Sequence, residues 1–188
     1  MFRIDDINKN TDFNKVFEFI NIIKAKSTVT IMLCISIMST HDVTSERVFP
    51  KIYKAYSDHK VFFKVNQCFN PIEQDWWIRD FGQPGIIVAS HGLIHVDHRL
   101  LGREGQEMSI VVASNLVRSK IFVPPFHKWN KDTESICAEH YIDLVKFEEG
   151  WKHVMFNPYD YKKENNYYFH PFDITPAQLK AWFERGIN

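Results

Sequence analysis

Two histidines four residues apart, His91 and His95, stand just past the apolar run Gly85-Ile86-Ile87-Val88-Ala89, in the stretch Ser90-His91-Gly92-Leu93-Ile94-His95-Val96-Asp97-His98. A buried strand that stops abruptly in imidazoles aims them at a common spot above the sheet. Neutral imidazoles at this spacing bind one divalent ion when the chain turns helically after the strand. A carboxylate completes such a set. The apolar run Thr30 to Met38 ends in Ser39-Thr40-His41-Asp42-Val43 and offers one at a second strand end. Thr44 and Ser45 lie nearer the start of the following helix and can cap it, which leaves Asp42 for coordination. The pattern predicts a mononuclear metal site. A core or helix-surface role is the duller reading of His91 and His95; the glycine between them and the strand before them weigh against it. His98 is a further imidazole one turn on, as a ligand or as a group behind the ligands.

Two other segments add chemistry. In Phe122-Val123-Pro124-Pro125-Phe126-His127-Lys128-Trp129 the proline pair ends a strand and stiffens an aromatic loop. Pro125, Phe126 and Trp129 can form a wall on which the apolar face of a pyranose stacks, or they simply pack. His170, in Tyr168-Phe169-His170-Pro171, closes another strand and is a candidate general acid. Asp97 and Asp173 can orient imidazoles through their far nitrogens.

The elements that must position these groups alternate along the chain. Apolar spacing predicts helices over Asn14–Lys26, Ser45–Asp58, Asp75–Phe81, Leu100–Arg118 and Asp132–His140, and a last one opened by Thr175-Pro176. On the helix over Leu100–Arg118, Met108, Val111, Val112 and Leu116 fall on one face. Asp132 or Thr133 caps the helix after it. Strands are expected at Thr30–Met38, Lys60–Val65, Gly85–Ala89, Ile121–Val123, Ile142–Phe147, Val154–Phe156 and Tyr167–His170. The alternation predicts an α/β fold with a largely parallel sheet or partial barrel, whose chemistry sits at the carboxyl ends of the strands. One domain over 1–188 is expected, with residues 1–28 as a helical extension packed on it.

Composition narrows the function. The 188 residues are 45% hydrophobic, enough for one core, and 23 basic residues balance 23 acidic ones. With no basic block, nucleic-acid binding is excluded as the default. Cys34, Cys68 and Cys137 are far apart and read as small buried hydrophobes of a reduced compartment. No signal-peptide layout or membrane-length apolar run is present, so a cytoplasmic location without a membrane partner is expected. Oligomeric state leaves no trace in the sequence.

Together the segments resemble the polysaccharide deacetylase-like family, metal-dependent carbohydrate esterases on a distorted, incomplete β/α barrel, here in a compact version. The resemblance runs from about Thr30 to Phe183. The family's first motif is a strand ending in two adjacent aspartates, the second of which binds the metal. His41-Asp42 maps onto it, as in a subgroup with His-Asp-Val, so the resemblance makes Asp42 a metal ligand and His41 the catalytic base. His91 and His95 map onto the His-xxx-His ligands, and His170 onto the histidine that protonates the leaving amine. An arginine that orients the base aspartate precedes the prolines in active members; Val123 stands there. The resemblance therefore implies a hydrolase that removes acetyl groups from an N- or O-acetylated carbohydrate. One divalent ion, zinc by preference, polarises the carbonyl and activates water. The altered base position keeps open a catalytically silent relative that binds a glycan or a protein, and fold alone leaves another metal-assisted hydrolysis open.

Overall fold

A computed structural model of the chain describes residues 1–8, 11–37, 83–146, 151–154 and 165–185. The helices expected over 45–58 and 75–81, the strand over 60–65, His41, Asp42 and Cys68 lie outside the described residues.

Among the described residues seven parallel strands form a curled half-barrel, the distorted, incomplete β/α barrel expected. They are β1 (Phe2–Ile7), β2 (Ile31–Ile35), β3 (Ile86–Ser90), β4 (Ile121–Phe122), β5 (Asp143–Leu144), β6 (Trp151–His153) and β7 (Asn166–Phe169). Their order across the sheet is β5-β4-β3-β2-β1-β7-β6, with every pairing parallel. The helices are α1 (Phe13–Lys26), α2 (Arg103–Leu116), α3 (Lys131–Glu139) and α4 (Pro176–Arg185).

The expectation of a helical extension over residues 1–28 is corrected here. Its helix is real, but residues 2–7 form an interior strand of the sheet, between β2 and β7, buried along its whole length. Phe2, Ile4 and Ile7 join the main apolar core, and Arg3, the alternate residue between Phe2 and Ile4, contacts Asp5 instead. Two adjacent residues of an extended strand face opposite sides. Asp6 breaks that rule with φ 57°, a left-handed conformation that aspartate tolerates, where the β1–β2 register shifts between Ile4 and Ile7.

Local capping fixes the helix starts. Asp12 accepts from the backbone N–H groups of Asn14 and Lys15 at the head of α1. Asn130, not Asp132 or Thr133, caps α3; Thr133 is the third helical residue and completes a reciprocal capping box. Thr175 and Gln178 exchange a similar pair of bonds at α4, 3.2 and 2.7 Å. On α2 the deeply buried residues are Gln106, Ser109, Ile110 and Ala113, whereas Met108, Val111, Val112 and Leu116 are partly buried. The difference arises because Ser109 and Gln106 bond inward, to Leu93 and His98 and to Thr133. Trp151–His153 forms a strand in register with β7; of the strand expected at Val154–Phe156 only Val154 is among the described residues, and it is a turn residue.

Phe2, Tyr167, Trp182 and Phe183 pack ring against ring, with centroids 4.9 to 6.1 Å apart. This cluster locks α4 onto β1 and β7, the two strands that carry the acidic and the late histidine groups of the site.

Candidate metal centre

His91 and His95 meet above the carboxyl end of β3, but not through a helical turn. The chain after Ser90 is bent and irregular, with Gly92 at φ 84°, and the first helical residues come only at His98. The bend brings the two imidazoles to 5.0 Å between ring centres. Asp6, from the neighbouring end of β1, completes the group: its Oδ1 lies 3.2 Å from His91 Nε2 and 2.8 Å from His95 Nε2. His91 Nδ1 donates to the carbonyl oxygen of Val123 at 2.7 Å, which turns the lone pair of Nε2 towards Asp6.

Whether a cation fits can be tested on Asp6 itself. Its Oδ1 is buried and accepts no hydrogen bond, although two imidazole nitrogens lie close by. A buried carboxylate oxygen left in that state is costly, and convergent donor atoms without N–H directions between them are what a divalent ion requires. Neighbouring donors of a tetrahedral zinc site with bonds of ~2.1 Å stand about 3.4 Å apart, close to the spacing seen. Burial disfavours ionisation of Asp6, but the two imidazoles outweigh it and hold the carboxyl well below the usual carboxylate range. Burial is also the main cause that lowers the His91 pKa, which favours the neutral, ligating form. The residues present fit zinc.

Asp5 flanks the centre. Arg3 holds it with two parallel bonds, Nε to Oδ1 at 2.7 Å and Nη2 to Oδ2 at 2.8 Å, and both side chains are buried. His127 Nε2 lies 3.6 Å from Asp5 Oδ2 and accepts from Arg3 Nη2. Burial again opposes ionisation, yet Arg3, His127 and His91 together keep the Asp5 carboxyl well below its ordinary range. On the opposite flank His170 Nε2 is 3.8 Å from Asp6 Oδ2. Its Nδ1 donates to Asp173 Oδ2 at 2.5 Å, and His153 Nε2 approaches the same oxygen at 3.0 Å. Asp173 thus orients His170 and His153, and these three form a second cluster of ligating atoms.

The remaining expected residues separate. Asp97 serves Arg99 rather than any imidazole: it caps the short turn His98–Leu100 and takes Arg99 Nη2 at 2.7 Å. His98 is fully buried and points away from the ligands, Nδ1 towards Val96 O at 3.0 Å and Nε2 towards Ser109 Oγ at 3.0 Å. Phe126 is 55% exposed and its ring stands 4.5 Å from that of His95, so it covers the centre. Phe126 and His127 both have left-handed backbone, φ 56° and 57°, a conformation that aims the two rings at neighbouring groups of the site. Pro125 is buried beneath them, and Trp129 is half-buried. Sequence reasoning missed Asp5, Asp6, Arg3 and His127. The adjacent aspartates at positions 5 and 6 were the available signal.

Two expected results follow from this geometry. A Cβ at Gly92 would lie 3.0 Å from His98 Cε1 and 3.1 Å from the Ile94 carbonyl oxygen, on a backbone that disfavours side chains. Gly92→Ala should cost about 2 kcal/mol in urea unfolding. An unchanged midpoint would show that the bend is unstrained. Burial of His98 pulls its pKa from 6.5 down to about 4. The unfolded chain therefore takes up this proton first as pH falls, so the stability that His98 contributes is complete above pH 6.5 and is lost towards pH 4. The shift corresponds to about 3 kcal/mol. Unfolding at pH 7 and pH 4.5 should show a pH dependence in the wild type that is smaller by most of that amount in His98→Gln.

No protein-family model matches the sequence, and no curated protein matches it. Solved structures do: the chain has the fold of the family 4 carbohydrate esterases, the fold that the resemblance to polysaccharide deacetylases implies. A family 4 carbohydrate esterase from Streptomyces lividans, in complex with acetate, superposes with a TM-score of 0.60 at 12% identity, over 98% of this chain and 83% of that one. A family 4 pseudoenzyme from Bacillus anthracis gives 0.60 at 10% identity, over 98% of this chain but 59% of its own length. The peptidoglycan deacetylase PdaC from Bacillus subtilis gives 0.55 at 10% identity, over 97% and 78%. No helix of the described residues is long and apolar enough to cross a membrane.

Proposed function

We propose that the chain is a metal-dependent deacetylase of an N- or O-acetylated carbohydrate. The observation that carries this reading is the convergence of Asp6, His91 and His95, with Asp5 on one side and His170 on the other. Asp6 then takes the ligand role expected of Asp42, and Asp5 the base role expected of His41. They are the two adjacent aspartates at a strand end that the resemblance calls for.

Bound by Asp6, His91 and His95, a zinc ion would supply Lewis-acid polarisation of the acetyl carbonyl. The protein supplies the rest. Asp5, held ionised by Arg3, accepts the proton of the attacking water. His170, with Nδ1 tied to Asp173, presents Nε2 towards the centre and delivers a proton to the departing nitrogen or oxygen. Phe126 offers an exposed ring beside His95 on which a sugar face can stack. A silent relative was favoured by a missing base aspartate and a missing arginine; Asp5 and Arg3 fill both positions and support turnover instead.

The deciding experiment is acetate release from chitooligosaccharides and acetylated xylan by zinc-loaded protein. The reading expects release that a chelator abolishes and zinc restores. A fully zinc-loaded sample that frees no acetate from either class would leave the silent, glycan-binding reading.

A further inference from the structure

We propose that Arg3 is the positioning residue for Asp5, delivered by the same strand two residues earlier, in place of a side chain from the Val123 loop. The proposal rests on the deacetylase reading, which makes Asp5 the base.

Geometry carries it. The guanidinium fork of Arg3 meets both oxygens of Asp5, at 2.7 and 2.8 Å, and both side chains are buried. A bidentate pair fixes the carboxylate plane as well as its place, which a single bond or a lysine ammonium does not. Each oxygen keeps a further lone pair, so the clamp leaves Asp5 able to accept a proton. The guanidinium is itself held in place. Its Cζ lies 4.7 Å from the centre of the Trp151 ring and 5.3 Å from that of Tyr168, and Nη2 also donates to His127.

The energetics point the same way. A buried Arg–Asp pair is often no more stabilising than apolar residues of similar volume, because desolvation cancels most of the attraction. Here the pair occupies an interior strand of the sheet, between strands whose other buried side chains are largely apolar. It lies beside Asp6, where an oriented carboxylate has a use. Meanwhile Val123, where the resemblance places an arginine, is fully buried among Met32, Cys34 and Ala89 and contributes its carbonyl to His91. A chain with the clamp on β1 has no need of a second one there.

Four variants test this in the full chain. Zinc titration by calorimetry should give Arg3→Met and Arg3→Lys affinities within about threefold of wild type, since no ligand is altered. In acetate release Arg3→Met should lose about a hundredfold in kcat with KM little changed, and Arg3→Lys should recover only part of it. A kcat for Arg3→Met within about threefold of wild type, or a loss confined to KM, overturns the proposal. Arg3→Lys keeps the charge and decides the matter should Arg3→Met fail to fold; full activity in it excludes a bidentate clamp. A urea-unfolding cycle over Arg3→Met, Asp5→Asn and the double variant needs no turnover. The clamp predicts a double variant at least as stable as Arg3→Met alone, and additive losses refute it. An inert wild type would thus sink the deacetylase reading while the cycle still decides the clamp.

Discussion

On the deacetylase reading, Asp6→Ala is expected to purify without stoichiometric metal and to lose acetate release by at least about a thousandfold, because it removes one of the three proposed ligands and the only carboxylate among them. The same change should not weaken the metal-free fold. Asp6 Oδ1 is buried without a hydrogen bond, so its removal relieves a desolvated charge rather than breaking a bond. Elemental analysis together with urea unfolding in chelator reads both effects. Metal content equal to wild type would show that the ion is held elsewhere, and a large loss of apo stability would show that Asp6 is structural. His91→Ala should also lose the ion. It differs in stability, because His91 leaves the Val123 carbonyl without its donor.

Phe169→Ala carries the second large effect. Phe169 is fully buried on β7 and meets Phe19 of α1 edge to face, centroids 5.0 Å apart. Deleting a buried phenylalanine ring costs about 3 to 5 kcal/mol. The edge-to-face pair should appear as about 1 kcal/mol of coupling in a cycle with Phe19→Ala. The site should suffer beyond the stability loss. His170 follows directly on Phe169, so its reach towards Asp6 depends on β7 staying seated. Calorimetric unfolding tests the first part and kcat of the folded fraction the second. A stability loss below about 1.5 kcal/mol would mean that the core closes over the gap.

The residues that could be read from the sequence were those that local physics dictates. The apolar run before His91, the periodicity of α1 and the Thr175-Pro176 opening of α4 each describe the element that formed. The His91–His95 pair was legible because a buried strand delivers it. Strand β1 was not, because Phe-Arg-Ile-Asp-Asp-Ile carries three charges in six residues and no propensity marks it as buried. Its charges are buried only because Arg3 neutralises Asp5, and because Asp6 faces two imidazoles that are distant in sequence. Pairing of that kind leaves no local pattern. Gly92 showed that a bend was possible, but its left-handed φ and the resulting convergence are tertiary facts. His98 read as a solvent-facing imidazole or one behind the ligands, with a third-ligand role less favoured, yet its partners, Val96 O and Ser109 Oγ, are those of a core histidine.

The placement of β1 between β2 and β7 has a kinetic consequence. One neighbour follows within about thirty residues; the other, β7, is the last of the described strands, and the Met1 ammonium bonds Asn166, a separation of 165 residues. Closing so long a loop must precede the contacts that reward it, which makes high contact order a brake on folding. During synthesis one edge of the acidic strand has to wait, unpaired, until the residues of β7 have left the ribosome. The carboxylates that line the centre are therefore made long before the strand that encloses them.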